Sequence, residues 1–287
     1  YSDEFIIGLA VVHTGYLGNV FAYVYNRRTG ALWEMERNAP LGNGIRFDRN
    51  VAQSVIAYRA EDERLRFDNN LELNRRGIDV RLENDGLVLD IRAEIIDDQS
   101  KQAPLQTLMP TPDDDCSFTH KNAGMRVEGK VRLGNTHWDL ATSNTRAVLD
   151  YTIGYHARET NWNWASFAGQ TAAGVEIGLN LANPTHQENA CWINGQQHRV
   201  GPIRFQYTDS VSAWHIESTD STDGSMATVN LTFQPKHCRY QDINMWILKS
   251  QFQQPCGVFG GTITTPDGSV VEFENVPGVV EEHAAKW

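Results

Sequence analysis

The sequence predicts an all-β protein in which two antiparallel barrels or half-barrels follow one another, with few short helices. Three observations lead there. Turn sequences of the hairpin kind, Arg28-Thr29-Gly30, Asn84-Asp85-Gly86, Asn194-Gly195, Thr222-Asp223-Gly224 and Pro266-Asp267-Gly268, sit between apolar or alternating runs. Asn-Gly and Asp-Gly supply the positive φ angles that tight primed turns need. The flanking runs at 20–25, 87–92, 226–233 and 245–248 alternate with a period of two and are rich in β-branched and aromatic residues. A short pattern also recurs. Gly129-Lys130-Val131-Arg132, a turn at Gly134-Asn135 and Trp138-Asp139-Leu140 match Gly261-Thr262-Ile263-Thr264, a turn at Asp267-Gly268 and Val271-Glu272-Phe273.

In chain order, Tyr1 opens inside a strand pattern without a methionine, so a preceding segment or signal peptide is expected to have been removed. The apolar run 5–12, broken by Gly8, falls far short of the ~20 residues a membrane-spanning helix needs. Residues 50–60 carry Val51, Ser54, Val55 and Tyr58 at near-helical spacing, but the adjoining Ile56 and neighbouring strand signals assign them to a strand. Asp113-Asp114-Asp115 lies in a Pro-rich loop and reads as a solvated acidic turn rather than a calcium or glycosidase site. The repeat places a junction near 145–152, giving an N-terminal barrel-like domain at 1–148 and a C-terminal one at 149–287. The sequon Asn230-Leu231-Thr232 falls within a strand-like run and is read as coincidental.

Composition narrows the partners. With 36 acidic against 25 basic residues the formal charge is -11, which disfavours nucleic acid and anionic membranes as partners. Cys116, Cys191, Cys238 and Cys256 are far apart with no C-x-x-C spacing, so neither a zinc knuckle nor a disulfide scaffold is indicated and a reducing cytoplasm is expected. No G-x-S-x-G elbow, Walker loop or dinucleotide glycine fingerprint is present. No cofactor and no metal are therefore expected.

The densest chemistry lies at 149–169, where Tyr155, His156, Arg158, Glu159, Trp162 and Trp164 fall within ten residues. If the segment is one extended strand, His156, Arg158, Trp162 and Trp164 share one face while Tyr155 and Glu159 share the other. His156-x-x-Glu159 would suit a metal on a helix but not on a strand. The first face combines an imidazole, a fixed cation and two aromatic plates, the equipment of a ligand site. A core strand with ordinary ion pairs is the competing reading. Glu281 and His283 also share a face if the C-terminal segment is extended, and a closing strand beside the tryptophan strand would bring them to it. They are then an acid-base candidate, against a polar end strand latched by Trp287. His120, beside Lys121, is a weaker candidate, read first as a hydrogen-bonded residue.

Thr119-His120-Lys121-Asn122-Ala123-Gly124, the tryptophan block 149–166 and the ending Glu281-Glu282-His283-Ala284-Ala285-Lys286-Trp287 resemble the bacterial proteins grouped as domain of unknown function 2804. His156-Ala157 departs from the Trp-Pro associated with many members. More remotely, the chain resembles the two-domain lipocalin-like proteins that include carotenoid hydratase, tocopherol cyclase and Diels-Alder cyclases. That resemblance implies a pocket for an apolar molecule, with Trp162 and Trp164 lining it, His156 or Glu159 as proton donor, and Arg158 holding polar atoms. Three functions stay open: cofactor-free hydration, cyclisation or isomerisation of a small, largely apolar, lipid-like molecule; carriage or sensing of such a molecule; and carbohydrate binding or processing.

Overall fold

The computed structural model describes residues 1–111, 115–219, 224–245 and 248–286. The acidic turn at Asp113-Asp114, the turn at Thr222-Asp223, Trp246-Ile247 and the Trp287 latch lie outside the described residues. By internal packing the chain divides into two compact units, Tyr1–Ser100 with Met125–Ala147, and Lys101–Gly124 with Val148–Trp287. Sequence reasoning placed 101–124 in the first half; the structure groups this segment with the second. The physical reason is local docking. Trp192 Nε1 donates to Ala103 O at 2.8 Å, and Gly178 has no side chain where a Cβ would lie 2.1 Å from Ala123 O.

In the first unit, β1 (Phe5–His13), β2 (Leu17–Asn26) and β3 (Leu32–Pro40) form a three-stranded antiparallel sheet. The hairpin strands β4 (Ile45–Phe47), β5 (Gln53–Ala60), β6 (Glu63–Asn70), β7 (Arg75–Asn84) and β8 (Leu87–Ile96) follow, with β5 covering the segment assigned to a strand. Asp85 and Gly86 adopt φ of 51° and 72° at the β7–β8 turn. After β9 (Leu105–Pro110), the long β10 (Cys116–Leu133) pairs with β8 over residues 126–133, and β11 (Thr136–Asp139) folds back on it. Alternation sorts this sheet's faces: Leu65, Val80, Leu82, Leu89 and Ile91 are buried, while the opposite face carries surface ion pairs such as Arg64 with Asp79 and Arg66 with Asp68. On that charged face lies an open groove of about 690 Å³, lined by Arg66, Asp68, Asp79, Arg92, Glu94 and Glu128 among others.

In the second unit, residues 116–121 of β10 pair with β9, and β12 (Arg146–Gly154) pairs with β10. The main sheet contains β13 (Glu159–Gln170), β14 (Glu176–Asn183), β15 (Ala190–Ile193), β16 (Gln196–Arg199), β17 (Ile203–Gln206), β18 (Trp214–Ser218), β19 (Thr228–Met245), β20 (Leu248–Thr264) and β21 (Val270–Lys286). Their order is β16-β15-β14-β13-β21-β20-β19-β18-β17. The final strand is thus inserted between β13 and β20, antiparallel to both. One face of this sheet buries Ala165, Phe167, Leu179, Leu181, Trp214, Phe233, Phe259, Phe273 and Val280 in a single apolar core.

One expectation is corrected. Residues 149–169 are not a single strand: β12 ends at Gly154, residues 155–158 form a connection, and β13 begins at Glu159. Gly154 takes a φ of 141°, and a Cβ there would sit 2.5 Å from Cys116 O. Only glycine fits such an approach, and past it the chain leaves β10 for a new partner, β21. The alternation that joined His156 and Arg158 to the tryptophan face, and Tyr155 to the opposite one, therefore does not operate.

Candidate functional site

The site is built by register. Directly opposed residues of antiparallel strands share a face, and Trp162 opposes His283 while Trp164 opposes Glu281. The next pair along, Ala165 with Val280, points into the apolar core. Trp162, Trp164, Glu281 and His283 therefore occupy the sheet face away from that core. The same face continues through Phe252, which opposes His283, and through Arg239, which opposes Gln254. Ser250, Gln254, Glu281, His283 and Arg239 are all less than a tenth exposed. Buried polar side chains are usually few and tied to specific partners, so five together on three adjacent strands mark this surface.

Glu281 sits at the centre. Its Oε1 accepts from Trp162 Nε1 at 2.7 Å and its Oε2 from Gln254 Nε2 at 3.0 Å. Both donors favour the carboxylate, but burial outweighs them and carries the group up to about 7. At neutral pH the carboxyl is therefore poised between its acid and base forms. His283 does not partner it: the imidazole Nε2 is hydrogen-bonded to Ser250 Oγ at 2.8 Å, and burial lowers its pKa to about 4. The ring stands edge-on to Trp162, with centroids 4.3 Å apart, and to Phe252 at 5.3 Å. It is a neutral wall beside the acid.

A second polar group meets this face. Trp164 Nε1 donates to Asn180 Oδ1 at 2.8 Å, and Asn180 Nδ2 donates to Glu188 O, also at 2.8 Å. The Glu188 carboxylate lies 3.5 Å from Lys121 Nζ, which donates to Asp150 Oδ1 at 2.5 Å. Burial alone would lower the lysine pKa, yet Asp150 and Glu188 together raise it and keep the ammonium charged. Burial raises Glu188 in turn, more than Lys121 lowers it. His120 is fully buried, its Nδ1 bonded to Gln106 Nε2 at 2.9 Å. It alternates with Lys121 to the other side of β10.

The other expected residues lie apart. Tyr155, His156 and Arg158 are exposed in the connection before β13. The surrounding protein and then the charge of Lys121 lower His156 below the usual imidazole range. Glu159 is exposed at the start of β13 and paired with Lys286 at 2.5 Å, which together with that cation's charge holds its carboxyl below the ordinary range. Lys121, Asp150, Glu188, Ser250, Gln254 and Arg239 were given no site role from the sequence. The buried run His120-Lys121-Asn122 was the one local sign; the rest join the site only through long-range register.

A family model described as Domain of unknown function (DUF2804) matches residues 1–287. No curated protein matches the chain in sequence. Among solved structures, kievitone hydratase from Nectria haematococca is similar at a TM-score of 0.60 and 9% identity, over 99% of this chain and 86% of that one. A Nitrosomonas europaea protein assigned as an AttH aligns at a TM-score of 0.49 and 12% identity, over 97% of this chain and 86% of that one.

Proposed function

We propose, from the premise that this chain belongs to the DUF2804 family, that it binds a small, largely apolar molecule and moves a proton on it without a cofactor. The acid is Glu281, and the reaction class is hydration, cyclisation or isomerisation. The observation that carries this reading is the buried Glu281 carboxyl, fixed by Trp162 and Gln254 and raised to about 7. A group so placed can give up its proton near neutral pH and recover it. Trp162, Phe252 and Trp164 offer flat apolar surface beside it, and the neutral His283 ring does not compete for the proton. The likeness to kievitone hydratase, at 9% identity, supports the fold and lends no chemistry.

Proton transfer divides into steps that the protein's own groups manage. Glu281 delivers its proton to an unsaturated carbon, and the resulting positive charge develops over the indole and phenyl faces, which stabilise cations through their quadrupoles. Loss of a proton from a neighbouring carbon or from an added water, taken up by the Glu281 carboxylate, ends the reaction and restores the acid. The test is native mass spectrometry of the purified protein, extraction of any bound molecule, and NMR of that molecule with the protein in D2O. Deuterium should enter at carbon, and Glu281→Gln should slow entry by on the order of a hundredfold while retaining the ligand. A molecule recovered unchanged by both proteins would make this a carrier. Mass shifts with oligosaccharides alone would overturn the apolar site.

A further inference from the structure

Resting on that reading, we propose that the Lys121 ammonium binds an oxygen lone pair of the ligand, so that the ligand is an apolar molecule bearing a neutral hydroxyl or carbonyl oxygen. Lys121 is 4% exposed. Buried ion pairs can commonly be replaced by apolar side chains without loss of stability, so packing alone does not account for an ammonium here. An ammonium has three N–H donors. Asp150 Oδ1 accepts one of them at 2.5 Å, the Glu188 carboxylate lies at ion-pair distance, 3.5 Å, and among the described residues Lys121 Nζ has no other partner.

The cluster is open on the Asp150 side, and the residues flanking Lys121 are held still. The Asp150 side chain is 45% exposed, so the cluster reaches solvent on that side. Gln102 Nε2 donates to Asn122 Oδ1 at 2.7 Å and to Ala123 O at 3.0 Å, while Gln106 holds His120 on the other flank. A fixed donor binds its acceptor with little ordering cost. The chain from Glu188 through Asn180 to Trp164, whose register partner is Glu281, puts the ammonium on the face that carries the acid. Two carboxylates already more than offset its charge, which leaves it suited to a neutral oxygen and unsuited to a carboxylate. Arg158, expected from sequence to hold polar atoms, is exposed in its connection.

The test compares 2-naphthol, naphthalene and 2-naphthoate on the full chain by tryptophan fluorescence quenching. A hydrogen bond to a charged donor predicts that 2-naphthol binds about tenfold or more tighter than naphthalene, with 2-naphthoate no tighter than naphthalene. In Lys121→Met/Glu188→Gln, which removes the ammonium without stranding the buried Glu188 charge, naphthalene binding should persist and the preference should fall to near unity. Independently of any variant, 2-naphthol and not naphthalene should shift the Lys121 15Nζ resonance. Equal binding of the first two probes, preference for 2-naphthoate, a preference surviving in the double variant, or an unmoved Nζ resonance overturns the inference and leaves the apolar site standing. Failure of all three probes to bind removes that site and this inference with it.

Discussion

Glu281 and His283 lie two residues apart on one strand, and burial moves their pKa values in opposite directions. Glu281 rises from 4.5 to about 7, so the folded state holds its proton more tightly than the unfolded state does. Its contribution to stability is full below about 4.5 and is lost as pH climbs to about 7. His283 falls from 6.5 to about 4, so its contribution is full above about 6.5 and is lost as pH drops to about 4. Between these limits the two slopes oppose each other. Glu281→Gln should unmask the histidine: relative to the parent, its unfolding free energy gains roughly 3 kcal/mol from pH 4.5 to pH 7, following the size of the shift. Urea titrations of both proteins at pH steps measure this, and parallel profiles would show that Glu281 titrates normally.

At the scale of elements, the site depends on β10 lying against β14, and Gly178 permits that approach. An added Cβ would meet Ala123 O at 2.1 Å, a backbone atom that cannot swing aside. Gly178→Ala should destabilise the protein by about 1–3 kcal/mol, as overpacking does, and should weaken oxygen-bearing ligands more than bare apolar ones by shifting Lys121. Thermal melts and the naphthol comparison check both halves. The hairpins were legible in the sequence because their signals are local: Asn84-Asp85-Gly86 and Asn194-Gly195 each close a turn between paired strands. The pairing of β13 with β21 was legible from alternation and from the closing-strand argument. Gly154 was not, because its need for a positive φ arises from the backbone of Cys116 and Ser117, far away in the chain. For the same reason Lys121 was passed over, since nothing around it in sequence announces that two distant carboxylates gather at its ammonium.

For the molecule as a whole, the division into units runs through the middle of β10, between Gly124 and Met125. Native-state hydrogen exchange should register this boundary: amides of residues 117–123 should share the opening free energy of the second unit, and those of 126–133 that of the first. Uniform protection along β10 would mean that the two halves open together. The insertion of β21 between β13 and β20 has a kinetic meaning as well. Trp162 and the carboxylate it holds are separated by 119 residues, so their meeting closes a very large loop, and contacts of that span form slowly and late. Until that contact forms, the Glu281 carboxyl lacks the burial that raises it from 4.5 to about 7, and it is ionised at neutral pH. A chain stalled with β13 already formed would have its aromatic surface in place and no proton to deliver, so chemistry should appear in refolding as the last phase, lagging behind the recovery of β structure.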